Sequence, residues 1–380
     1  MESTTDVYQK LRRHIDNMPV AFPESPSGLD IKLLKYLFTP EEATIALELS
    51  AIPETLEHIH KRLIKTGISI EDLEKILDKL VSKGSILGGK IFERKGSKKY
   101  YSKAQLAVGI YEFQVGRLTK EFEQDFQNYL DEEFYKVVHS KKTSQMRTIP
   151  IGIAVNTNRY IESYDNVRDI INQTHRPMAV IECVCRSGKD LTNHPCKHSD
   201  IRETCLLFED VAALYSSSKK CRIITKDQML EILRRAEEAG FVLQPENNQN
   251  PNFICCCCGC CCNVLTSIKK FPNPAEYYHS NYYSSVIIEK CEACQLCVDI
   301  CPMEAISMHE GCATVDLNRC IGCGVCVSKC AANAIELKVK EKKYVPPKDS
   351  DSMYKKILME RVGIKGMLKI FPKMLLGQKI

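Results

Sequence analysis

Cysteine spacing carries the chemistry of this chain. The run Cys291-x2-Cys294-x2-Cys297-x3-Cys301-Pro302 recurs as Cys320-x2-Cys323-x2-Cys326-x3-Cys330. The copies continue into matching stretches, Met303-Glu304-Ala305-Ile306 and Ala332-Asn333-Ala334-Ile335. Thiolates are soft anionic ligands that hold metal ions or iron–sulfur cores. All 21 cysteines fall between Cys183 and Cys330, and in a reducing compartment such a set predicts metal binding over disulfides. Two zinc knuckles would need only paired cysteines, so the duplicated x2-x2-x3 runs favour iron–sulfur. Gly322 and Gly324 suit a backbone that comes close to sulfide and donates N–H···S bonds.

A second constellation lies upstream. Cys183-Val184-Cys185-Arg186 is followed by Cys196 and Cys205, then by Cys255-Cys256-Cys257-Cys258-Gly259-Cys260-Cys261-Cys262. Side chains alternate faces along a strand, so consecutive cysteines cannot all reach one metal from regular β-structure. A turn at Gly259 would gather several of them with Cys183, Cys185, Cys196 and Cys205. These eleven thiols are enough for one four-ligand site or two. Spacing does not choose between further iron–sulfur clusters and zinc. So many free thiols with only a packing role would be an oxidation hazard, so further metal binding is expected. His194 and His198 flank Cys196 and have ligand chemistry, but two solvated loop histidines are the expectation. Arg186 would either offset thiolate charge or form a surface ion pair. Cys221 and Cys312 are expected to pack as small apolar residues.

The elements that must position these residues divide the chain into six segments, a multidomain α+β organisation. Residues 1–27 are polar, with several prolines, and predict an N-terminal arm. Residues 28–103 predict a winged-helix-like domain of short amphipathic helices and a hairpin. Ile31, Leu33, Leu34, Leu37 and Phe38 share the first helix, and Thr39 with Pro40 opens the next. Ser69 caps a third with Leu73, Ile76, Leu77 and Leu80 on one face, and two strands flank Lys95-Gly96-Ser97. Residues 104–148 predict a connecting helix, with Phe113, Phe122, Phe126, Leu130 and Phe134 near helical spacing. Residues 149–283 form a Cys-rich α/β segment. It has a strand at Met178–Cys183, and a helix opened by the capping box Thr225-Lys226-Asp227-Gln228 and stopped by Gly240. Residues 284–340 hold the repeat, and 341–380 form a basic tail.

The duplicated run resembles bacterial-type ferredoxins with two 4Fe–4S clusters. Carried over by position, the resemblance implies one cluster on Cys291, Cys294, Cys297 and Cys330. The other would sit on Cys320, Cys323, Cys326 and Cys301. Ala331 stands where that family usually has Pro, which bears on the turn after the last ligand and not on iron binding. From the arm to Lys343 the chain also resembles a family of anaerobe proteins. These join a winged-helix-like region, a Cys-rich middle region and a dicluster ferredoxin. The segments concerned are Leu37-Phe38-Thr39-Pro40-Glu41-Glu42-Ala43, Cys183-x-Cys185-Arg186, Cys255 to Cys262 and the repeat. That likeness implies iron–sulfur binding and electron transfer, and it fixes no substrate.

A hydrophobic content of 44% with 27% charged residues excludes a collagenous or wholly disordered chain. No apolar stretch is long enough to span a membrane and the polar start lacks a signal-peptide core, so a cytoplasmic location is expected. There is no dinucleotide fingerprint, P-loop or catalytic pair, hence no catalytic residue and no small-molecule substrate is assigned. The expected function is single-electron transfer between cytoplasmic redox proteins, as a carrier or an oxidoreductase subunit rather than a stand-alone enzyme. A redox-sensing transcription regulator is the alternative, and an iron–sulfur reductase subunit ranks third. The candidate recognition helix, Ile70 to Lys83, sets Glu71, Asp72, Glu74 and Asp78 against Lys75, Lys79 and Lys83, a poor match to DNA. Lys90, Arg94, Lys95, Lys98 and Lys99 of the hairpin are better placed for phosphates, and protein docking is favoured over DNA binding. From Lys338 onward twelve Lys and Arg face four Asp and Glu, with Ile357, Ile364, Leu368, Phe371 and Leu375 near helical spacing. This tail suits a membrane surface or an acidic partner, or is simply solvated.

Overall fold

Caps and apolar spacing account for most of the helices, and the fold is mixed α/β. The computed structural model describes residues 4–89, 99–154, 162–174, 177–217 and 221–375. It falls into two compact units: residues 1–143 with 213–221 and 354–380, and residues 144–212 with 222–353.

In the first unit, helix α1 (Thr4–Asp16) buries Val7, Tyr8, Leu11 and Ile15. The expected arm is therefore an integral helix, because those residues share one helical face. Helices α2 (Leu29–Leu37) and α3 (Pro40–Ala46) follow, the latter opened by the reciprocal capping box of Thr39 and Glu42. Strand β1 (Glu54–Thr55), helices α4 (Leu56–Leu63) and α5 (Ile70–Lys83), and strands β2 (Ile86–Gly89) and β3 (Tyr100–Lys103) complete this segment. The strands form an antiparallel sheet in the order β1-β3-β2, and Leu73, Leu77 and Leu80 of α5 are fully buried. The hairpin positions Lys90, Arg94, Lys95 and Lys98 lie outside the described residues.

The expected connecting helix is helical only in its second half, as α6 (Lys120–Tyr129) and α7 (Tyr135–Val138) joined by a wider turn at Leu130–Phe134. Before it, Val108 and Gly116 adopt left-handed backbone angles (φ 44° and 75°) that interrupt the helix. The tail is also not simply solvated. It forms a helix, Ser350–Leu375, interrupted at Gly363, whose Glu360 accepts hydrogen bonds from the Thr143 backbone N–H (2.9 Å) and hydroxyl (2.7 Å). Arg361 donates to Asp16 at 2.6 Å. In the described residues no helix is long and apolar enough to cross a membrane.

In the second unit, helix α8 (Val167–Gln173) precedes a five-stranded antiparallel sheet. Its strands are β4 (Met178–Glu182), β5 (Glu203–Phe208), β6 (Arg222–Ile223), β7 (Val242–Pro245) and β8 (Phe253–Cys257), in the order β6-β4-β5-β8-β7. Helices α9 (Val184–Leu191) and α10 (Glu209–Ser217) follow β4 and β5. Helix α11 (Lys226–Glu238) carries Met229, Leu233 and Ala236 into a core shared with Val180, Leu206 and Ile254 of the sheet. After α12 (Asn263–Ile268) and α13 (Pro274–Tyr277) comes the repeat. It comprises β9 (Tyr282–Val286), α14 (Leu296–Ile300), β10 (Ile306–His309), β11 (Cys312–Val315), α15 (Val325–Ser328) and β12 (Ile335–Val339). Strands β9 and β12 pair, as do β10 and β11, all antiparallel.

Truncating Leu77, which has no exposure, should cost about 2–5 kcal/mol. The Leu77→Ala protein is expected to melt at lower temperature by circular dichroism while keeping its full iron content, since every candidate ligand lies in the other unit.

Candidate metal centres

Each copy of the repeat bends its chain around the cysteines through left-handed backbone at equivalent positions. Ala293 and Gly322 (φ 56° and 66°), Gln295 and Gly324 (64° and 77°), and Glu304 and Asn333 (53° and 49°) correspond. The non-glycine members, Ala293, Gln295, Glu304 and Asn333, carry backbone strain where the sulfurs must converge. Gly322 is required in the second copy, since a Cβ there would collide with the carbonyl of Tyr282.

The bends leave two pockets. One is lined by Cys291, Cys294, Cys297 and Cys330. The other is lined by Cys301, Cys320, Cys323 and Cys326. Each thus receives three cysteines from one copy and the last cysteine of the other. Backbone N–H groups point at the sulfurs: Ala305 donates to Cys301 (3.3 Å), Ala334 to Cys330 (3.2 Å), Ala313 to Cys291 (3.5 Å) and Ser284 to Cys320 (3.4 Å). The Ser284 hydroxyl lies 3.2 Å from Cys326 Sγ. Four thiols per pocket, with donors aimed at sulfur, fit an anionic thiolate-ligated iron–sulfur cluster. The pockets differ in exposure. Cys320, Cys323 and Cys326 are buried, and burial pushes the Cys326 thiol up to about 12. Cys294 of the first pocket is exposed. Cys312, expected to be packing alone, is half-buried, and its thiol lies 3.6 Å from the carbonyl of Ala313, whose N–H donates to Cys291.

The eleven upstream thiols separate by strand alternation and by the turn. On β8, Cys256 faces the apolar core and its thiol is raised to about 12 by burial. Cys255 and Cys257 face the other side. There Cys255 Sγ lies 3.5 Å from Cys205 Sγ, the residue it faces on β5. From Cys255 a series of electrostatically interacting thiols continues through Cys257 and Cys262 to Cys185 and Cys183. Gln244 donates to Cys262 Sγ (3.6 Å) and accepts from the buried Tyr278 hydroxyl. The Cys185 thiol beside it brings Cys183 down to about 7. The remaining four, Cys196, Cys258, Cys260 and Cys261, converge separately, with all four sulfurs within 4.8 Å of one another. His194 and His198 are exposed and outside this set. Cys221 is half-buried.

Arg186 is not a surface residue. It has no exposure, its guanidinium stacks 4.0 Å from the Phe241 ring centroid, and it donates to the Cys256 carbonyl (2.8 Å) and the Thr204 hydroxyl. Its Nε has no hydrogen-bond partner. Burial opposes its charge, and negative charge on Cys183, Cys258 and Cys257 would favour it. Ser284 and Gln244, both aimed at sulfur, carry no signal in the cysteine spacing. Only pairing in the sheet brings them there.

Residues 285–307 and 313–336 match the 4Fe-4S binding domain family, as two tandem repeats. Two tandem repeats of this family in one segment are consistent with a dicluster ferredoxin domain. No curated protein matches the chain.

Ser284→Ala removes one hydrogen bond to a ligand sulfur of the second pocket, and such donors favour the more negative, reduced state. The expected outcome is a midpoint potential lower by tens of millivolts for one of two signals in an EPR-monitored redox titration, with iron content unchanged.

Proposed function

We propose that the chain is an iron–sulfur electron-transfer protein. Cys291, Cys294, Cys297 and Cys330 would hold one 4Fe–4S cluster, and Cys320, Cys323, Cys326 and Cys301 the other. The observation that supports this ligand set is the exchange of last cysteines between the two pockets. When bound, such clusters supply reversible one-electron chemistry. The chain's part is to anchor them by thiolate, to orient N–H donors at the sulfurs, and to exclude water from the second pocket. Exposed Cys294, with Leu296 also exposed (52%) on the same pocket wall, opens the first pocket to solvent. A cytoplasmic redox protein would approach that side. The upstream thiols would supply a further Cys-ligated metal site.

On anaerobically purified protein, about eight iron and about eight acid-labile sulfide are expected from the two clusters together. Cys301→Ser and Cys323→Ser should alter the same EPR signal, and Cys330→Ser and Cys294→Ser the other. If Cys301→Ser disturbed the signal that Cys294→Ser disturbs, the ligand assignment would be wrong.

The order helix, strand, two helices, two strands over 40–103 supports a winged-helix reading of that segment. Among the described residues, lysines of the helices and just before β3 are paired internally: Lys79 and Lys83 meet Glu42 (3.1 and 2.5 Å), and Lys99 meets Glu74 and Asp78 (2.8 and 2.6 Å). This favours protein docking over the redox-regulator alternative. Duplex DNA titrated in a fluorescence-anisotropy assay at physiological salt should bind no tighter than non-specific complexes do, a Kd of about 10⁻⁶ M or weaker. Tight, salt-dependent binding would reverse the preference.

A further inference from the structure

Among the described residues, no other set of three or more His, Cys, Asp or Glu ligand atoms is drawn together as closely as the sulfurs of Cys196, Cys258, Cys260 and Cys261. Cys196 Sγ lies 3.5 Å from Cys258 Sγ and 3.7 Å from Cys260 Sγ, and Cys260 Sγ lies 3.5 Å from Cys261 Sγ. The spacing discriminates between occupants. Four sulfurs around a single tetrahedral ion with bonds of about 2.3 Å stand about 3.8 Å apart. A cubane places its irons between the sulfurs and spreads them to roughly 6 Å. The upstream set has the first dimension. The repeat's eight cysteines instead line two separate pockets, four to each.

The chain is built to hold these four atoms together. Cys196 comes from the loop after α9, and the other three from one turn closed by the Cys262 N–H on the Cys258 carbonyl (3.2 Å). Gly259, at the centre of that turn, packs against Pro302: a Cβ would lie 2.7 Å from the Pro302 Cα and carbonyl oxygen. A divalent ion bound by four thiolates leaves a net negative charge in the interior, which needs compensation. Arg186 offsets part of it. It is wholly buried with an unpartnered Nε, donates to the carbonyl of Cys256 in the same cysteine run (2.8 Å), and has no carboxylate within ion-pair distance among the described residues.

We propose that Cys196, Cys258, Cys260 and Cys261 bind one tetrahedral thiolate-ligated divalent ion, zinc or ferrous iron, separate from the two ferredoxin clusters. Binding exchanges thiol protons for the metal and involves no electron transfer. The inference deepens the reading of the upstream thiols as a metal site and does not depend on the electron-transfer role of the repeat.

Zinc, iron and acid-labile sulfide are measured per chain on the anaerobically purified full-length protein, alongside Cys196→Ser and Cys260→Ser. A Cys256→Ala variant serves as control, since that thiol faces the apolar core. The wild type is expected to hold about one zinc, or about one iron in excess of sulfide. The two serine variants should lose that single equivalent with sulfide unchanged, and Cys256→Ala should keep it. Zinc and ferrous iron are told apart by which of the two metals is lost. A wild type with neither extra zinc nor sulfide-free iron would overturn the proposal, and so would serine variants that lose about four iron and four sulfide together. If the serine variants do not fold, the wild-type stoichiometry decides alone. A wild type short of the eight ferredoxin irons but retaining the single ion would count against the ferredoxin ligand assignment and leave this proposal standing.

Discussion

A thiolate removed from water needs positive charge nearby, and the second unit is organised around that requirement. Burial alone drives the sulfurs toward the protonated form, as the raised Cys323 and Cys326 thiols demonstrate. Only a metal, backbone N–H dipoles or a cation can make them ligands. The repeat relies on metal and on N–H donors, one aimed at each of Cys291, Cys301, Cys320 and Cys330. The upstream region adds a full cation, Arg186. The two solutions suit their surroundings: short loops expose many N–H groups, whereas the N–H groups of strand β8 are already engaged with β5 and β7.

Backbone conformation is the second constraint. Three left-handed positions recur in each copy of the repeat, and two of them are glycine in the second copy but Ala293 and Gln295 in the first. The second copy has less freedom because its loop is packed on all sides. The Tyr282 carbonyl presses on Gly322, Ala154 lies against Gly324, and the Ile151 N–H is bonded to the Cys323 carbonyl (3.0 Å). The first copy faces solvent at Cys294, and side chains fit there at the same φ. Exposure of one pocket and enclosure of the other thus follow from which residues can adopt the same bends.

Local features were legible in the sequence. Thr39, Ser69 and Thr225 cap the helices expected of them, and the x2-x2-x3 spacing located the repeat that the family match identifies. These signals act within a few residues of one another, where the chain's own geometry decides. Features that depend on distant partners were not legible. The polar first segment is an integral helix because Val7, Leu11 and Ile15 find a core that polarity alone does not reveal. The tail is docked because Glu360 and Arg361 meet Thr143 and Asp16. Ser284 reaches sulfur only through the place of β9 beside β12.

The cysteine-rich run illustrates how the two kinds of signal combine. Alternation along a strand predicts that Cys256 must point away from Cys255 and Cys257, and it does, into the apolar core. Alternation cannot say where the strand ends. That is decided at Gly259, the residue able to lie against Pro302 without a Cβ, so the chain turns there and sends Cys258, Cys260 and Cys261 to Cys196. Had the strand continued through Cys261, Cys258 and Cys260 would share one face and Cys261 would point to the other, so no compact four-sulfur set would form. The division of eleven thiols into a core residue, a six-membered chain and a tight quartet therefore rests on alternation along β8 and on the turn at Gly259. Arg186, wholly buried and donating to the Cys256 carbonyl of the same run, is the cation of this interior.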